Sequence, residues 1–107
     1  MSLDVYLKAI QPCVIYQRNI THNLNKMAME AGISKELWRP DEIGVTKAKQ
    51  LIEPLHEGLV RLLAYPVRYK KFNPENGWGD YDGLVAFVQE YLGACEKNPE
   101  ADVEVSR

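Results

Sequence analysis

The stretch Phe72-Asn73-Pro74-Glu75-Asn76-Gly77-Trp78-Gly79-Asp80-Tyr81-Asp82-Gly83 constrains the fold more than any other part of this chain. Pro74 lacks an amide hydrogen, Asn76-Gly77 favours left-handed backbone angles, and Gly77 and Gly79 let another backbone or a ligand approach closely. No helix runs through such a segment, so it must be a joint between two elements. Before it, Val45, Ala48, Leu51, Ile52, Leu55, Leu59, Leu62 and Leu63 recur at helical spacing and predict a long central helix. Thr46 is its expected cap and Pro66 its end. Pro54 lies inside it and predicts a kink or a break, because proline deletes one backbone bond and clashes with the preceding turn. After the joint, Asp80 or Asp82 caps a last helix reaching about Glu96. Leu84, Val85, Val88, Leu92 and Cys95 form one face of it, and Phe87, Tyr91 and Ala94 a neighbouring one.

The two ends of the chain read differently. Leu3, Val5, Leu7 and Ala9 alternate with Asp4, Tyr6, Lys8 and Ile10, which predicts a strand over residues 3–10. Gln11-Pro12 interrupts, and residues 13–17 read as a second strand, antiparallel to the first. Asn19 or Thr21 then caps a helix whose stripe is Ile20, Leu24, Met27, Ala28 and Ala31, with Gly32 at its end. Ser34 opens a short turn that Pro40 stops. Residues 67–71 read as a helical turn or an irregular connection. Asn98-Pro99 breaks the last helix, and residues 101–105 alternate as a strand placed beside the N-terminal hairpin. The expected architecture is a single α+β domain over residues 1–107. A small antiparallel sheet of about three strands, drawn from both ends, packs against three main helices.

Composition narrows the function classes. With 107 residues, 46% of them hydrophobic, the chain is long enough to build a core without staples. A net charge of −2 carries no nucleic-acid signal, and the local cluster Arg68, Lys70 and Lys71 reads first as a solvated helix end. Cys13 and Cys95 lack CxxC spacing and read as small core hydrophobes. His22 and His56 are too far apart for a local metal motif, so no metal and no cofactor is assigned. No run approaches the roughly 20 apolar residues of a membrane span, and the N-terminus has no basic-then-apolar leader pattern. The expected location is therefore cytoplasmic, and the glycosylation-type triplet Asn19-Ile20-Thr21 is accidental.

Three clusters could carry chemistry. Asn19, Thr21, His22 and Asn23 stand where a helix start would favour an anion, the plainer reading being capping and an exposed histidine. Trp38 and Arg39 precede Pro40-Asp41-Glu42. Arg39 could fork onto a carboxylate or phosphate, or simply pair with Asp41 or Glu42. Asn73, Asn76, Trp78 and Tyr81 in the joint combine amides with flat rings suited to a planar ligand or a protein partner. Their plainer role is to satisfy loop amides and plug an edge. Thr21 and His22 are sequence neighbours and point apart on a helix, so no catalytic residue is assigned.

The segments Met1-Ser2-Leu3-Asp4-Val5-Tyr6-Leu7, Asn19-Ile20-Thr21-His22-Asn23-Leu24, Leu37-Trp38-Arg39-Pro40-Asp41-Glu42, Phe72-Asn73-Pro74-Glu75-Asn76-Gly77-Trp78-Gly79 and Val103-Glu104-Val105-Ser106-Arg107 span nearly the whole chain. Through them the chain resembles a family of small proteins of bacteriophages, prophages and bacterial genomes. The resemblance implies a variable hairpin turn between Ile10 and Arg18 but brings no mechanism. The expectation is a non-catalytic binding module in which the three clusters share one cleft for a small anionic or planar ligand, or a host protein. The alternatives are a small enzyme using His22 as general base, and an interaction protein that forms homo-oligomers through exposed aromatics.

Overall fold

A computed structural model of the chain describes residues 2–9 and 13–107. It contains a three-stranded antiparallel sheet with helices covering one face, the α+β arrangement expected. Strand β1 (Ser2–Lys8) lies in the middle, flanked by β2 (Val14–Thr21) and β3 (Asp102–Ser106). The alternation of β1 sets its two faces. Leu3, Val5 and Leu7 are fully buried under the helices, while Ser2, Asp4, Tyr6 and Lys8 line the outer face. The positions of Ile10, Gln11 and Pro12 lie outside the described residues.

Strand β2 runs four residues further than the Gln17 end expected. Arg18, Asn19, Ile20 and Thr21 pair with Val5, Asp4, Leu3 and Ser2. Arg18 and Ile20 fall on one face of the strand and Asn19 and Thr21 on the other, and the pairing of Ile20 with Leu3 prevails over the helical stripe into which Ile20 also fits. Asn19 is therefore a sheet residue, and only Thr21 caps. Its hydroxyl accepts the Asn23 N–H at the head of a 3-10 turn, His22–Leu24, which leads into helix α1 (Asn25–Glu30). Helix α2 (Ser34–Trp38) and a second 3-10 turn (Pro40–Ile43) follow.

Helix α3 (Lys49–Ala64) is one continuous helix across Pro54. The proline removes a single bond near the helix start, and Leu51, Leu55, Gly58 and Leu62 are buried on both sides of it, which holds the helix in one piece. Thr46 does not cap it. The Gln50 side chain reaches back instead, its Oε1 accepting the Thr46 and Lys47 amides at 2.8 Å each. Leu63 is not in the buried stripe either: it is half exposed on the outward side. Helix α4 (Pro66–Lys70) and the joint lead to helix α5 (Tyr81–Lys97), capped by Asp80, whose Oδ1 accepts the Gly83 N–H at 2.7 Å. Helices α3 and α5 pack together, and α5 also meets β2, where Arg18 pairs with Glu90. Cys95 is buried as expected, but Cys13 is exposed at the start of the outer strand.

Candidate functional site

The outer face of the sheet ends in a cleft. Ser2 and Thr21 are register partners on neighbouring strands and point to the same side. Two residues along β2, Asn19 shares that face. Its Nδ2 donates to Ser2 Oγ and to Asp4 Oδ1, at 2.8 Å each, so its Oδ1 is turned out as an acceptor. The joint closes the other side. Gly79 has φ +96°, and a Cβ there would come within 2.7 Å of Thr21 Cγ2 and 3.0 Å of Leu24 Cγ. Only glycine lets the loop backbone seat this closely against the end of β2. That contact sets the neighbouring Trp78 at the rim. Asn76 Oδ1 accepts the Trp78 N–H at 3.0 Å and steadies the turn, which leaves the Asn76 amide donors free. The result is a cleft of about 500 Å³ lined by Ser2, Asn19, Thr21, Asn23, Asn76 and Trp78. None of these six side chains is charged. Trp78 keeps 70% of its surface exposed, an uncommon degree for the largest apolar side chain.

The cleft thus joins the Asn19–Asn23 segment to the joint. The remaining candidates stand elsewhere. His22 packs edge-on against Trp38, with ring centroids 6.2 Å apart, and its Nε2 and the Trp38 Nε1 are shut away from solvent. Arg39 Nη1 pairs with Glu42 Oε2 at 2.9 Å. Asp41 is taken by Arg107, whose Nη1 also donates to the Trp38 carbonyl at 3.1 Å. The Arg107 guanidinium holds the Asp41 carboxyl below the usual carboxylate range, chiefly through that hydrogen bond. Asn73 Oδ1 accepts the Tyr81 N–H at 2.8 Å, and the Tyr81 ring is buried.

Tyr81 has a specific structural task. The Leu62 carbonyl should bond the amide four residues on, but that residue is Pro66, which has no N–H. The Tyr81 hydroxyl supplies the missing donor at 2.6 Å. Burial pushes its pKa up, as expected for a phenol that stays protonated to donate. Tyr81→Phe leaves that carbonyl unsatisfied and is expected to cost about 1–3 kcal/mol, read as a lowered urea midpoint at unchanged m-value. An unchanged midpoint would show that the carbonyl finds another donor.

Sequence reading missed Ser2, which fell just outside the strand expected over residues 3–10. The signal was present: alternation around the apolar Leu3, Val5 and Leu7 puts Ser2 and Asp4 together on the polar face. A second groove of about 560 Å³, lined by Ala9, Cys13, Ile15, Asn98, Pro99, Glu100 and Ala101, is mainly apolar and lacks convergent polar groups. Among the described residues no three His, Cys, Asp or Glu side chains cluster as a metal site, and no helix is long and apolar enough to cross a membrane. Compared with protein-family models, curated proteins and solved structures, the chain gives no match.

Proposed function

We propose that the protein is a non-catalytic binding module that holds a small, uncharged, flat-faced ligand in the cleft between Thr21 and Trp78. The observation that carries this reading is an exposed tryptophan on the rim of a cleft otherwise lined by Asn, Ser and Thr. An indole face left in water loses apolar burial unless something stacks on it. The amides and hydroxyls beside it can donate and accept along the edge of a heterocycle or a sugar ring. An anionic ligand has less support, because no Lys or Arg lines the cleft and Arg39 is paired with Glu42. Base catalysis by His22 also has less support, since its Nε2 is closed to solvent against Trp38. The reading takes the chain as a member of the phage and bacterial family that its motifs resemble.

Fluorescence titration with a panel of nucleosides and methyl glycosides tests it. Stacking on an aromatic ring contributes about 1–3 kcal/mol per base. Trp78→Ala is therefore expected to weaken binding of whichever probe the wild type holds by roughly 10- to 100-fold, with Asn76→Ala weaker by a smaller factor. A Trp78→Ala chain that binds the same probe as tightly as the wild type contradicts the proposal.

A further inference from the structure

The hydrogen bonds inside the cleft fix which of its polar groups donate and which accept. The Asn19 side chain meets the Asp4 carboxylate, which only accepts, so the Asn19 Nδ2 is the end that faces Asp4 Oδ1 and Ser2 Oγ, at 2.8 Å each. Both amide hydrogens are used there, and the Asn19 carbonyl is left as a pure acceptor. Asn76 is set the other way round. Its Oδ1 accepts the Trp78 N–H at 3.0 Å, which leaves an Nδ2 that only donates. The Ser2 hydroxyl already accepts from Asn19 Nδ2, and the Thr21 hydroxyl from the Asn23 backbone N–H at 3.3 Å, so each keeps its own hydrogen to give. The exposed Asn23 side chain can present either end. The cleft therefore offers one fixed carbonyl acceptor and three groups with hydrogens to donate, in about 500 Å³ that the Trp78 ring also lines.

We infer, on the footing of the stacking site proposed above, that the ligand of this cleft is a pyrimidine base. Its ring face lies on Trp78, and its pairing edge meets Asn19, Asn76 and the two hydroxyls. Cytosine and uracil each carry one donor and two acceptors along that edge, the complement of one acceptor among several donors. Guanine carries the reverse, one acceptor and two donors, and the cleft has only Asn19 fixed to receive them. A sugar is not selected by such a pattern, because its hydroxyls rotate to donate or accept as needed. The match counts because a polar group left unpaired on desolvation costs more than a typical hydrogen bond gains. No charged side chain lines the cleft, which suits a base that is neutral at pH 7.

Titration of the full chain with uridine, cytidine, 3-methyluridine, guanosine and methyl glucoside, followed by tryptophan fluorescence, tests this. Methylation at N3 keeps the ring face and both carbonyls of uridine and removes the one donor that Asn19 Oδ1 accepts. Uridine and cytidine are expected to bind at least about 10-fold more tightly than the other three probes. Asn76→Asp keeps an oxygen for the Trp78 N–H, so the turn persists, and turns the remaining donor into a second acceptor. It is expected to weaken uridine by about 10-fold or more at unchanged Tm. Trp78-dependent binding in which 3-methyluridine matches uridine, or guanosine exceeds both pyrimidines, overturns the inference and leaves the stacking site standing. An Asn76→Asp chain that holds uridine as tightly as the wild type also overturns it. If no probe binds in a way that Trp78→Ala abolishes, the stacking site and the pyrimidine assignment fall together.

Discussion

Raising the pH from about 9 to about 12 is expected to unfold this protein, and the buried Cys95 is expected to account for much of the loss. Burial pushes the Cys95 thiol from its ordinary 9.0 up to about 12. Below pH 9 both folded and unfolded chains keep the proton, so the contribution is constant. Above it the unfolded chain releases the proton first and the folded chain does not, so stability falls until pH approaches 12. One group contributes at most about 1.4 kcal/mol per pH unit, which amounts to about 4 kcal/mol across this window. A domain of ordinary stability has only about 5–15 kcal/mol in total. Tyr91, Tyr16 and Tyr81 act in the same direction, each raised chiefly by burial. Ion pairs such as Lys8–Glu104 also weaken as lysine deprotonates, but at the surface each is worth under about 1 kcal/mol.

Urea midpoints measured from about pH 8 to pH 11 should therefore decline steeply, and Cys95→Ala should flatten the slope even though its cavity lowers the starting level. A midpoint independent of pH in this range would contradict the burial assigned to Cys95 and Tyr91. A thiol reagent at neutral pH gives a second reading. It should modify Cys13 in the native chain and reach Cys95 only on unfolding.

Gly58→Ala is expected to destabilise the protein, although the same change in a solvent-facing helix position would stabilise it. Alanine gains about 1 kcal/mol over glycine in a helix interior. At Gly58, however, the new Cβ would lie 2.3 Å from Ile33 Cγ2 and 3.2 Å from Ile33 Cδ1. Cγ2 is attached directly to the Ile33 Cβ and moves only if the fully buried side chain turns about χ1 into its packed neighbours or the backbone ahead of α2 moves. Overpacking of this kind costs about 1–3 kcal/mol, so the clash outweighs the propensity gain. A net loss of about 1–2 kcal/mol would lower Tm by roughly 5–15 °C in a domain of this size. The sign should reverse once Ile33 is truncated. Ile33→Ala costs about 2–5 kcal/mol alone but removes both clashing carbons, and Gly58→Ala added to it should recover about 0.5–1 kcal/mol. Thermal melts of the four proteins check this cycle. Destabilisation of equal size in both backgrounds would show that Ile33 is not what Gly58 accommodates.

Much of the fold was legible in the sequence because its signals were local. The alternation of Leu3, Val5 and Leu7, the stripes of α3 and α5, and the Asp80 cap each depend on residues within one element. What was not legible depended on pairing. Ile20 fits both a strand and a helix stripe, and only register against Leu3 makes it a sheet residue. The Gln50 side chain replaced Thr46 as the group serving the start of α3, which propensity does not reveal. Leu63 fits the buried stripe by spacing, but the inward arc of α3 centres on Leu51, Leu55, Gly58 and Leu62. Cys13 sits among apolar neighbours in sequence and yet stands exposed just before the edge strand β2. The candidate site divides in the same way. Composition marked the polar residues of the Asn19–Asn23 segment and of the joint. Arg39 is held apart by Glu42, a pairing that the local spacing already offered, whereas the packing of His22 on Trp38 joins residues distant in sequence and no spacing rule supplies it.

A ligand held in the cleft beside Trp78 would be reported by that indole directly. The chain has two tryptophans, Trp38 buried and Trp78 at the rim, so each gives its own indole N–H signal in a nitrogen–proton correlation spectrum. Titration with the nucleoside and glycoside panel should move the Trp78 indole signal together with the side-chain amides of Asn19, Asn23 and Asn76, and leave the Trp38 signal in place. A probe that binds while those four residues stay unmoved, or that shifts Trp38 instead, would contradict the account.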